Sequence, residues 1–311
     1  MLVYVLAVLA ACANATSSVL QRKANRDLPG EDSLRLRLIL RLLRRPVWFA
    51  GVVGVVVGFV LQAAALANGE LSVVEPILVF ELPLTLVLAS SVFRSRLHGR
   101  EWAAALGMTV GLATMLYFLS PSPGDSRDVP WRVWAAGIGA NLAVVACAVE
   151  RGRRNRSGLT GRVRAGRRAA AFGVAAGCQF GLTAALIKGT TDRYAAEGPG
   201  ALLTGWQSYA TAVSGLLAMF LLQSAMQAGS LIAAQPGLTL SDPLVSILWG
   251  VVVFGEQVST GVHLLIAVLG GVLMGFSVLV LTRSPVLAET EDQTGGGRRS
   301  PASTRPGSSE W

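Results

Sequence analysis

Charged residues are scarce in this sequence, and so are the side chains that build metal and catalytic sites. Only 14% of the 311 residues are charged, and there are two histidines and three cysteines. The cysteines fall in three different apolar runs without any CxxC or His/Cys cluster, which excludes a zinc signature and a disulfide framework. GxSxG, P-loop and HExxH motifs are absent as well. We therefore predict neither an enzyme, nor a metal site, nor a bound cofactor.

Apolar residues, by contrast, make up 52% of the chain and gather into long uninterrupted runs. Each run is long enough to cross a bilayer core of roughly 30 Å as a helix. The sequence thus predicts an all-α polytopic membrane protein with about nine transmembrane helices. The predicted spans are Leu2–Leu20, Val47–Ala67, Leu71–Phe93, Trp102–Leu119, Trp131–Val149, Ala169–Ile187, Leu202–Leu222, Leu231–Phe254 and Val262–Leu281.

The basic residues, nearly all arginine, cluster between the apolar runs in Gln21–Pro46, Arg94–Arg100 and Glu150–Arg168. Connections rich in Lys and Arg face the cytoplasm, which predicts an external N-terminus and a cytoplasmic C-terminal tail. The tail, residues 284–311, is rich in Gly, Ser, Pro and Thr and is expected to be disordered. Residues 33–46 place arginines along one helical side, which predicts an amphipathic helix on an anionic inner leaflet.

The net charge of +9 therefore indicates membrane lipid, and not nucleic acid, as the partner of the basic segments. The frequent use of Arg, Ala, Gly and Val over Lys and Ile indicates a GC-rich genome. We expect a multi-pass protein of the cell membrane of a bacterium.

The stretch Phe59–Phe93 occurs a second time, in related form, as Phe220–Phe254. One residue is missing from the second copy between its glutamine and its first proline, and one is gained back before the closing phenylalanine. The matched residues are Gln62 with Gln223, Glu75-Pro76 with Gln235-Pro236, and Pro83 with Pro243. Repeated pairs of interrupted apolar segments are typical of transporters built from two related halves. The alternative is that two Val/Leu/Ala-rich helices resemble each other by composition.

We predict a first repeat of four spans in residues 1–119, a linking span with a basic connection in 120–168, and a second repeat in 169–283. A single linking span turns the second repeat upside down. The connections that match the basic ones, Lys188–Ala201 and Gly255–Gly261, have little positive charge, as an inverted repeat requires. Close helix contacts, within the chain or in a dimer, are predicted at GxxxG motifs. These motifs are Gly54/Gly58, Gly107/Gly111, Gly173/Gly177/Gly181 and Gly271/Gly275.

Polar side chains within the apolar runs are costly to bury in lipid and therefore mark candidate functional positions. The predicted pathway residues are Glu81, Asp242, Glu75, Gln235, Gln62, Gln223 and Gln179. Glu81 lies near the middle of the third span, and Asp242 aligns with it within one residue in the eighth. Alternatively, Glu75 is solvated at the interface, and Glu81 and Asp242 are each bonded to a neighbouring helix.

Four prolines lie in the same two spans and remove backbone donors there. They are Pro76, Pro83, Pro236 and Pro243. We predict that they loosen both helices and free carbonyls that face a cavity. Lys188 closes the sixth span and is expected to extend towards the membrane interface. Trp48, Trp102, Trp131 and Trp134 lie at span starts, as interface anchors do.

Several short motifs resemble the drug/metabolite transporter superfamily, the EamA-like proteins, and within it the nine-span NIPA-type arm associated with magnesium transport. Ser17–Lys23 closes the first span and the related Ala184–Gly189 closes the sixth. Glu75-Pro76 and Gln235-Pro236 each precede a long apolar helix, and Gly255-Glu256-Gln257 follows the eighth span. The resemblance implies two halves around a central cavity with alternating access. In the NIPA-type pattern a small polar residue is common where Glu75 stands, which weakens the magnesium assignment.

The sequence therefore predicts a secondary transporter or facilitator of a small organic solute. A divalent-cation transporter of the magnesium type is the first alternative. Magnesium keeps its waters and binds through carboxylates, and the spans offer only Glu75, Glu81 and Asp242. A membrane scaffold without transport is the second alternative. Substrate, direction, coupling ion and oligomeric state stay open at this point.

Overall fold

The computed structural model describes residues 1–26, 46–93, 99–122, 124, 126–127, 129–154, 161–229 and 231–282. The predicted tail 284–311 and nearly all of the predicted amphipathic helix 33–46 lie outside this range. The helices of the described part are α1 (Leu2–Arg26), α2 (Pro46–Asn68), α3 (Leu71–Leu78), α4 (Glu81–Phe93), α5 (Gly99–Leu119), α6 (Trp131–Arg154), α7 (Gly161–Glu197), α8 (Ala201–Thr204), α9 (Trp206–Ala228), α10 (Leu231–Leu248), a π-helical turn (Trp249–Val253) and α11 (Val262–Thr282).

Nine segments within the described ranges are long and apolar enough to cross a membrane. This confirms the predicted all-α polytopic membrane protein. The outer surface of the helices is correspondingly apolar, with Val60, Leu216 and Phe220 exposed by 59%, 74% and 67%. Water would be a poor solvent for such a surface, whereas lipid chains match it.

The sixth span is longer than predicted, because α7 continues past Ile187 as far as Glu197. Ion pairs at i,i+4 spacing stabilise this extension. Lys188 Nζ lies 2.9 Å from Asp192 Oδ1, and Arg193 Nε lies 3.0 Å from Glu197 Oε1. Lys188 is buried, so its predicted extension to the membrane interface is wrong.

The seventh span begins at Trp206 instead of Leu202, and the short helix α8 precedes it. The prediction for Trp134 as an interface anchor is also wrong. Its ring is buried and packs against Trp206, Trp249 and Phe254 at centroid distances of 5.3–5.4 Å. Aromatic packing near the start of α6 therefore replaces the expected contact with lipid headgroups.

The third span consists of two helices, α3 and α4, separated by a tight turn at Val79-Phe80. Phe80 N–H donates to the Ile77 carbonyl at 3.0 Å, and Leu82 N–H donates to the Val79 carbonyl at 3.1 Å. These three-residue steps are tighter than the four-residue steps of an α-helix. Pro83 favours the break, because it has no N–H to donate to the Val79 carbonyl.

The eighth span carries Pro236 and Pro243 at the same seven-residue spacing, yet α10 runs through both. It ends in the π-turn, where Phe254 N–H donates to the Trp249 carbonyl at 3.0 Å. A π-turn accommodates one extra residue in a helix. The extra residue in the second copy of the repeat lies between Pro243 and Phe254, which is the stretch that contains this turn.

The helices pack in a pattern that occurs twice. In one part α1 packs along α2 and against α3 and α4, and in the other α7 packs along α9 and α10. Under the predicted repeat, α1 corresponds to α7, so the first helix of each half contacts the next span and the proline-bearing span. The last helices of the two halves, α5 and α11, pack along each other, and α6 packs on α7.

Glycines on one face of α7 bring its backbone against α10. A Cβ atom added to Gly181 would lie 2.8 Å from the Asp242 carbonyl oxygen, and one added to Gly177 would lie 2.9 Å from Ser241 Cβ. Gly173 is as close to Ala234, so all three glycines of the predicted motif contact the same helix. Small residues at four-residue spacing permit this backbone approach.

The contact between α5 and α11 uses a different glycine from the one predicted. A Cβ atom added to Gly111 would lie 2.7 Å from the Gly270 carbonyl oxygen, and one added to Gly270 would lie 2.8 Å from the Gly111 carbonyl oxygen. Gly271 and Gly275 meet only side chains, at 3.3 Å. The GxxxG motif Gly271/Gly275 is therefore not the contact, which is made by the neighbouring Gly270 on another face of the helix.

The connections that follow the second, fourth, sixth and eighth spans meet at one end of the bundle, here called the even end. Ser122 N–H donates to the Gln257 carbonyl at 2.9 Å, and Ser259 N–H donates to the Leu119 carbonyl at 3.0 Å. Ser126 donates to Asp192, and Glu256 binds the first residues of α3. Consecutive spans therefore alternate in direction, and the helix starts at Pro46, Gly99 and Gly161 lie at the opposite, odd end.

Candidate functional site

A cavity of about 530 Å³ lies between the two predicted halves. One wall comes from α1, α2, α3 and α4, and the other from α7, α9 and α10. The polar lining residues are Asn14, Gln62, Glu75, Glu81, Thr183, Gln235, Thr239 and Asp242. The apolar lining includes Phe59, Leu82, Phe180, Leu222 and Leu238. Five of the seven predicted pathway residues are therefore brought together at one cavity.

Glu75 enters the cavity from α3, one helical turn after the start of that helix. Its side chain is buried, and its Oε1 accepts a hydrogen bond of 2.9 Å from Gln62 Nε2 of α2. The interpretation of Glu75 as a solvated interface residue is therefore wrong. The two side chains lie 13 residues apart in sequence and meet because α2 and α3 are joined by the two-residue connection Gly69-Glu70.

Glu81 occupies the first position of α4, directly after the break in the third span. Ser18 Oγ of α1 donates to Glu81 Oε1 at 3.3 Å. The positive end of a helix dipole favours a carboxylate in the first turn. The break therefore creates a helix start within the membrane-spanning part of the bundle, and Glu81 is placed at that start.

Asp242 and Gln235 line the opposite wall from α10. The Asp242 Oδ1 atom is buried and has no hydrogen-bond partner among the described residues. Gln235 Nε2 lies 3.5 Å from Thr239 Oγ1, one turn further along the same helix. Because α7 packs on the backbone at Asp242 through Gly181, the position of this carboxylate is fixed by a helix contact.

Two predicted pathway residues lie elsewhere. Gln223 is exposed on α9 and does not line the cavity. Gln179 is buried behind the wall, where its Nε2 donates to Ser214 Oγ at 2.8 Å. Ser214 also contacts Thr183 at 2.8 Å, so Gln179 reaches the lining only through other side chains. The four prolines lie beside the lining residues in α3, α4 and α10 and do not line the cavity themselves.

Sequence reasoning overlooked several lining residues. Asn14 and Thr183 are polar residues within apolar runs, and the cost of burying them was a signal available from the sequence. Phe59 and Phe180 gave no such signal, since aromatic residues are ordinary on any face of a membrane helix. Glu256, in the motif Gly255-Glu256-Gln257 after the eighth span, was not predicted to be buried, although it is almost fully buried.

The cavity is acidic. Its lining holds three carboxylates, from Glu75, Glu81 and Asp242, and no Lys, Arg or His among the described residues. The buried cation Lys188 is paired with Asp192 towards the end of α7. A wall that combines carboxylates, amides and apolar rings suits a small solute with a positive group and an apolar body. Within the described part of the chain, no three His, Cys, Asp or Glu side chains are close enough together to hold a metal ion.

A large apolar cluster separates the cavity from the even end. It includes Leu66, Leu71, Trp134, Trp249 and Phe254, which lie at or near the even ends of their helices. Ala184 and Ile187 belong to this cluster and also line the cavity. Gln235 and Leu222, in contrast, lie near the odd ends of α10 and α9. The cavity is therefore closed at the even end and extends towards the odd end.

Comparison with known proteins finds one full-length similarity. The chain is 29% identical over 301 residues to an uncharacterized protein of Corynebacterium glutamicum, and the alignment covers 94% of this chain and 98% of that protein. No protein-family model matches the chain. No solved structure matches it either.

Proposed function

We propose that this protein is a secondary transporter or facilitator that moves a small organic solute across the cell membrane by alternating access. The observation that carries the proposal is the acidic cavity, which both predicted halves line and which is closed at one end. A site near the middle of the bundle, between two related halves and beside an interrupted helix, is typical of such transporters. The resemblance of the motifs to the drug/metabolite transporter superfamily supports the same interpretation.

The cavity supports a solute that carries a positive charge. Its volume of about 530 Å³ falls in the range of small-molecule pockets. Three carboxylates without a lining cation attract positive groups and repel anions. Glu81 and Asp242 would contact the solute or a coupling proton, and Gln62 and Gln235 would supply neutral hydrogen bonds.

The distribution of arginine supports an orientation for this state. The basic segments Gln21–Pro46 and Glu150–Arg168 join helix ends at the odd end, and such segments face the cytoplasm. The even end and the N-terminus are then external. With its even end closed, the protein would be in an inward-facing state, and the outward-facing state would require the even end to separate.

The divalent-cation alternative draws its support from the three cavity carboxylates. Magnesium binds through one or two carboxylates while keeping several waters, so a compact ligand cluster is not required. The scaffold alternative draws its support from the basic segments alone. Both alternatives are decided by the same transport experiment.

The experiment measures uptake into vesicles that contain the purified protein. Cationic, zwitterionic and anionic organic solutes of similar size are compared with Mg²⁺. We expect uptake of a cationic solute, and Glu81→Gln should lower it by roughly tenfold to a hundredfold, since a hydrogen-bonded charge contributes about 1.5–3 kcal/mol. Uptake of Mg²⁺ alone would favour the first alternative. Absence of any uptake would overturn the proposal.

A pair of glutamines supplies the matched control. Gln62 and Gln223 occupy equivalent places in the repeat, but only Gln62 lines the cavity. Gln62→Ala should weaken uptake by roughly fivefold to tenfold, because Glu75 loses a hydrogen-bond donor. Gln223→Ala should leave uptake unchanged. Equal effects of the two substitutions would contradict the assignment of the cavity as the solute site.

A further inference from the structure

Glu256 joins the connection after the eighth span to the start of α3. Its Oε1 accepts a hydrogen bond of 2.7 Å from Leu71 N–H, and its Oε2 accepts one of 3.1 Å from Ser72 N–H. The Ser72 hydroxyl also donates to Oε2. One carboxylate therefore binds three donors that lie 184 or 185 residues away in the chain.

The local backbone directs Glu256 towards α3. Gly255 has a φ of +69°, which is accessible to glycine and strained for most other residues. Glu256 N–H then donates to the Gly250 carbonyl at 2.9 Å and folds the chain back onto the π-turn. Gly124 and Gly250 both lie against the Glu256 side chain, where a Cβ atom would collide with it.

The Glu256 carboxylate supplies hydrogen-bond acceptors for the first N–H groups of α3. The first N–H groups of a helix have no partner within the helix, and an acidic group there is stabilising. Glu70 occupies the N-cap position but makes no side-chain hydrogen bond to the helix. Glu256, which lies in the predicted second half, makes the cap bonds instead. Only 2% of its surface is exposed.

The helix that Glu256 holds is short and is positioned to move as a unit. It ends at the Val79-Phe80 turn, and it carries Glu75 into the cavity. Leu71 and Ile77 of the same helix belong to the apolar cluster that closes the even end. A displacement of α3 would therefore open this cluster and shift Glu75 at the same time.

We propose that Glu256 is a positioning residue that latches α3 to the second half, keeps the even end closed and holds Glu75 at the cavity. This proposal rests on the proposed function, because a latch has a role only if access to the cavity alternates between the two ends of the bundle. Opening of the even end then requires the bonds from Glu256 to Leu71 and Ser72 to break.

The test measures which side of the membrane reaches the cavity, and it requires no knowledge of the solute. The three cysteines, Cys12, Cys147 and Cys178, are replaced by alanine in the full chain. Gly215→Cys then serves as the reporter, because Gly215 lines the cavity and an added Cβ would meet only Thr183 Cγ2, at 3.7 Å. Gly200→Cys marks the even end, where no heavy atom lies within 4 Å of an added Cβ.

The reporter is labelled with a membrane-impermeant maleimide from the side on which Gly200→Cys reacts. With Glu256 intact we expect slow labelling from this side. Glu256→Gln should raise the rate about tenfold or more, because loss of a charge-assisted set of hydrogen bonds shifts such an equilibrium by roughly that factor. Ser72→Ala removes one of the three donors and should raise the rate by a smaller factor.

Glu70→Gln is the matched control. It makes the same chemical change at the same helix start, but the Glu70 side chain makes no cap bond. Its labelling rate should equal that of the protein with Glu256 intact. If Glu256 has only a structural role, Glu256→Gln will lower the yield of folded protein without changing the labelling rate from the even end.

Unchanged labelling in both Glu256→Gln and Ser72→Ala would overturn the latch, as would an equal rise in Glu70→Gln. Ser72→Ala keeps the test decisive if Glu256→Gln does not fold. Because labelling needs no solute, a protein that transports none of the tested solutes but shows the expected labelling would contradict the transport proposal and leave the latch standing.

Discussion

Spans three and eight carry prolines at the same seven-residue spacing, but a turn separates α3 from α4 whereas α10 runs through both of its prolines. Their neighbours differ as well. α10 lies on the glycine face of α7, with backbone atoms of the two helices in contact at Gly177 and Gly181. In the predicted first half the close approach at a glycine joins a different pair of helices, α2 and α1, where a Cβ atom added to Gly54 would lie 3.1 Å from Ser17 Cβ.

This difference shows that a proline makes a break in a membrane-spanning helix possible but does not by itself produce one. Each proline leaves one carbonyl without its usual helical donor, in both spans alike. Where a neighbouring helix supports the backbone along its length, as α7 supports α10, the helix continues. In the predicted first half the close glycine contact supports α2 and not span three, and the chain of span three turns at Val79-Phe80. We infer that span eight is the fixed wall of the cavity and span three the movable one.

The largest expected effect comes from removing the support of α10. Gly177→Leu would force a side chain into the backbone of α10 at Leu238 and against the side chain of Ser241. We expect a loss of about 3 kcal/mol or more in the free energy of unfolding, because overpacking of a close contact cannot be relieved without moving a whole helix. Thermal unfolding of the detergent-solubilised protein measures it.

Gly139→Leu is the control for this substitution, since no heavy atom lies within 4 Å of an added Cβ on Gly139. It should leave the free energy of unfolding unchanged or raise it by up to about 1 kcal/mol, because leucine is a better helix former than glycine. If Gly177→Leu were tolerated equally well, the contact between α7 and α10 would not be the support that keeps span eight continuous.

A second, smaller effect concerns the prolines themselves. Pro83→Ala gives residue 83 an N–H that can bond the Val79 carbonyl, so the helix should continue across the break. We expect hydrogen exchange of the amides of Phe80–Leu84 to slow by roughly tenfold. Mass spectrometry of peptides from that region measures the rate.

Pro243→Ala is the matched change in the other half. Because α10 is already continuous there, exchange around Pro243 should change by less than about twofold. Slowing of the same size in both variants would show that the two spans open alike, and the contrast between a movable and a fixed wall would be lost.

The sequence predicted the nine spans because bilayer thickness sets the length of the apolar run that each needs. It did not predict where α7 ends, since the polar segment after Ile187 remains helical through ion pairs such as Lys188–Asp192. Nor did it distinguish a broken span from a continuous one, because the support from α7 is a tertiary contact. The π-turn had a sequence signal, the extra residue before Phe254, whose structural meaning was not recognised.

The pathway residues show the same limit. Glu75, Glu81 and Asp242 were predicted from the cost of carboxylates in lipid, and all three line one cavity. Gln223 was predicted from its match to Gln62, but matching does not fix the rotation of a helix about its axis. α9 buries Ser214, Ala218, Leu221 and Ala225. Gln223 lies two residues from the last two of these, on the opposite face.

The smallest expected effect concerns Glu256, the group that joins the two walls. Burial raises the pKa of Glu256 above its ordinary value of 4.5, while hydrogen bonds from Ser72 and from the Leu71 and Ser72 amides, together with the charge of Lys188, lower it in part. A carboxylate with a raised pKa binds its proton more tightly in the folded state than in the unfolded state. The contribution of Glu256 to stability therefore falls as pH rises from 4.5 through the folded-state pKa, and it is constant above that.

Comparison of the protein with its Glu256→Gln variant isolates this contribution, because glutamine does not titrate. As pH is lowered from neutral towards 4.5, the wild-type chain should gain a small amount of stability relative to the variant, because the folded state binds the Glu256 proton more tightly than the unfolded state does. Thermal unfolding at several pH values measures the difference. If the wild-type chain instead lost stability relative to the variant on acidification, the hydrogen bonds at α3 would stabilise the charged carboxylate more than burial destabilises it. The pKa of Glu256 would then be lowered and not raised, and the latch would be stronger when Glu256 is charged.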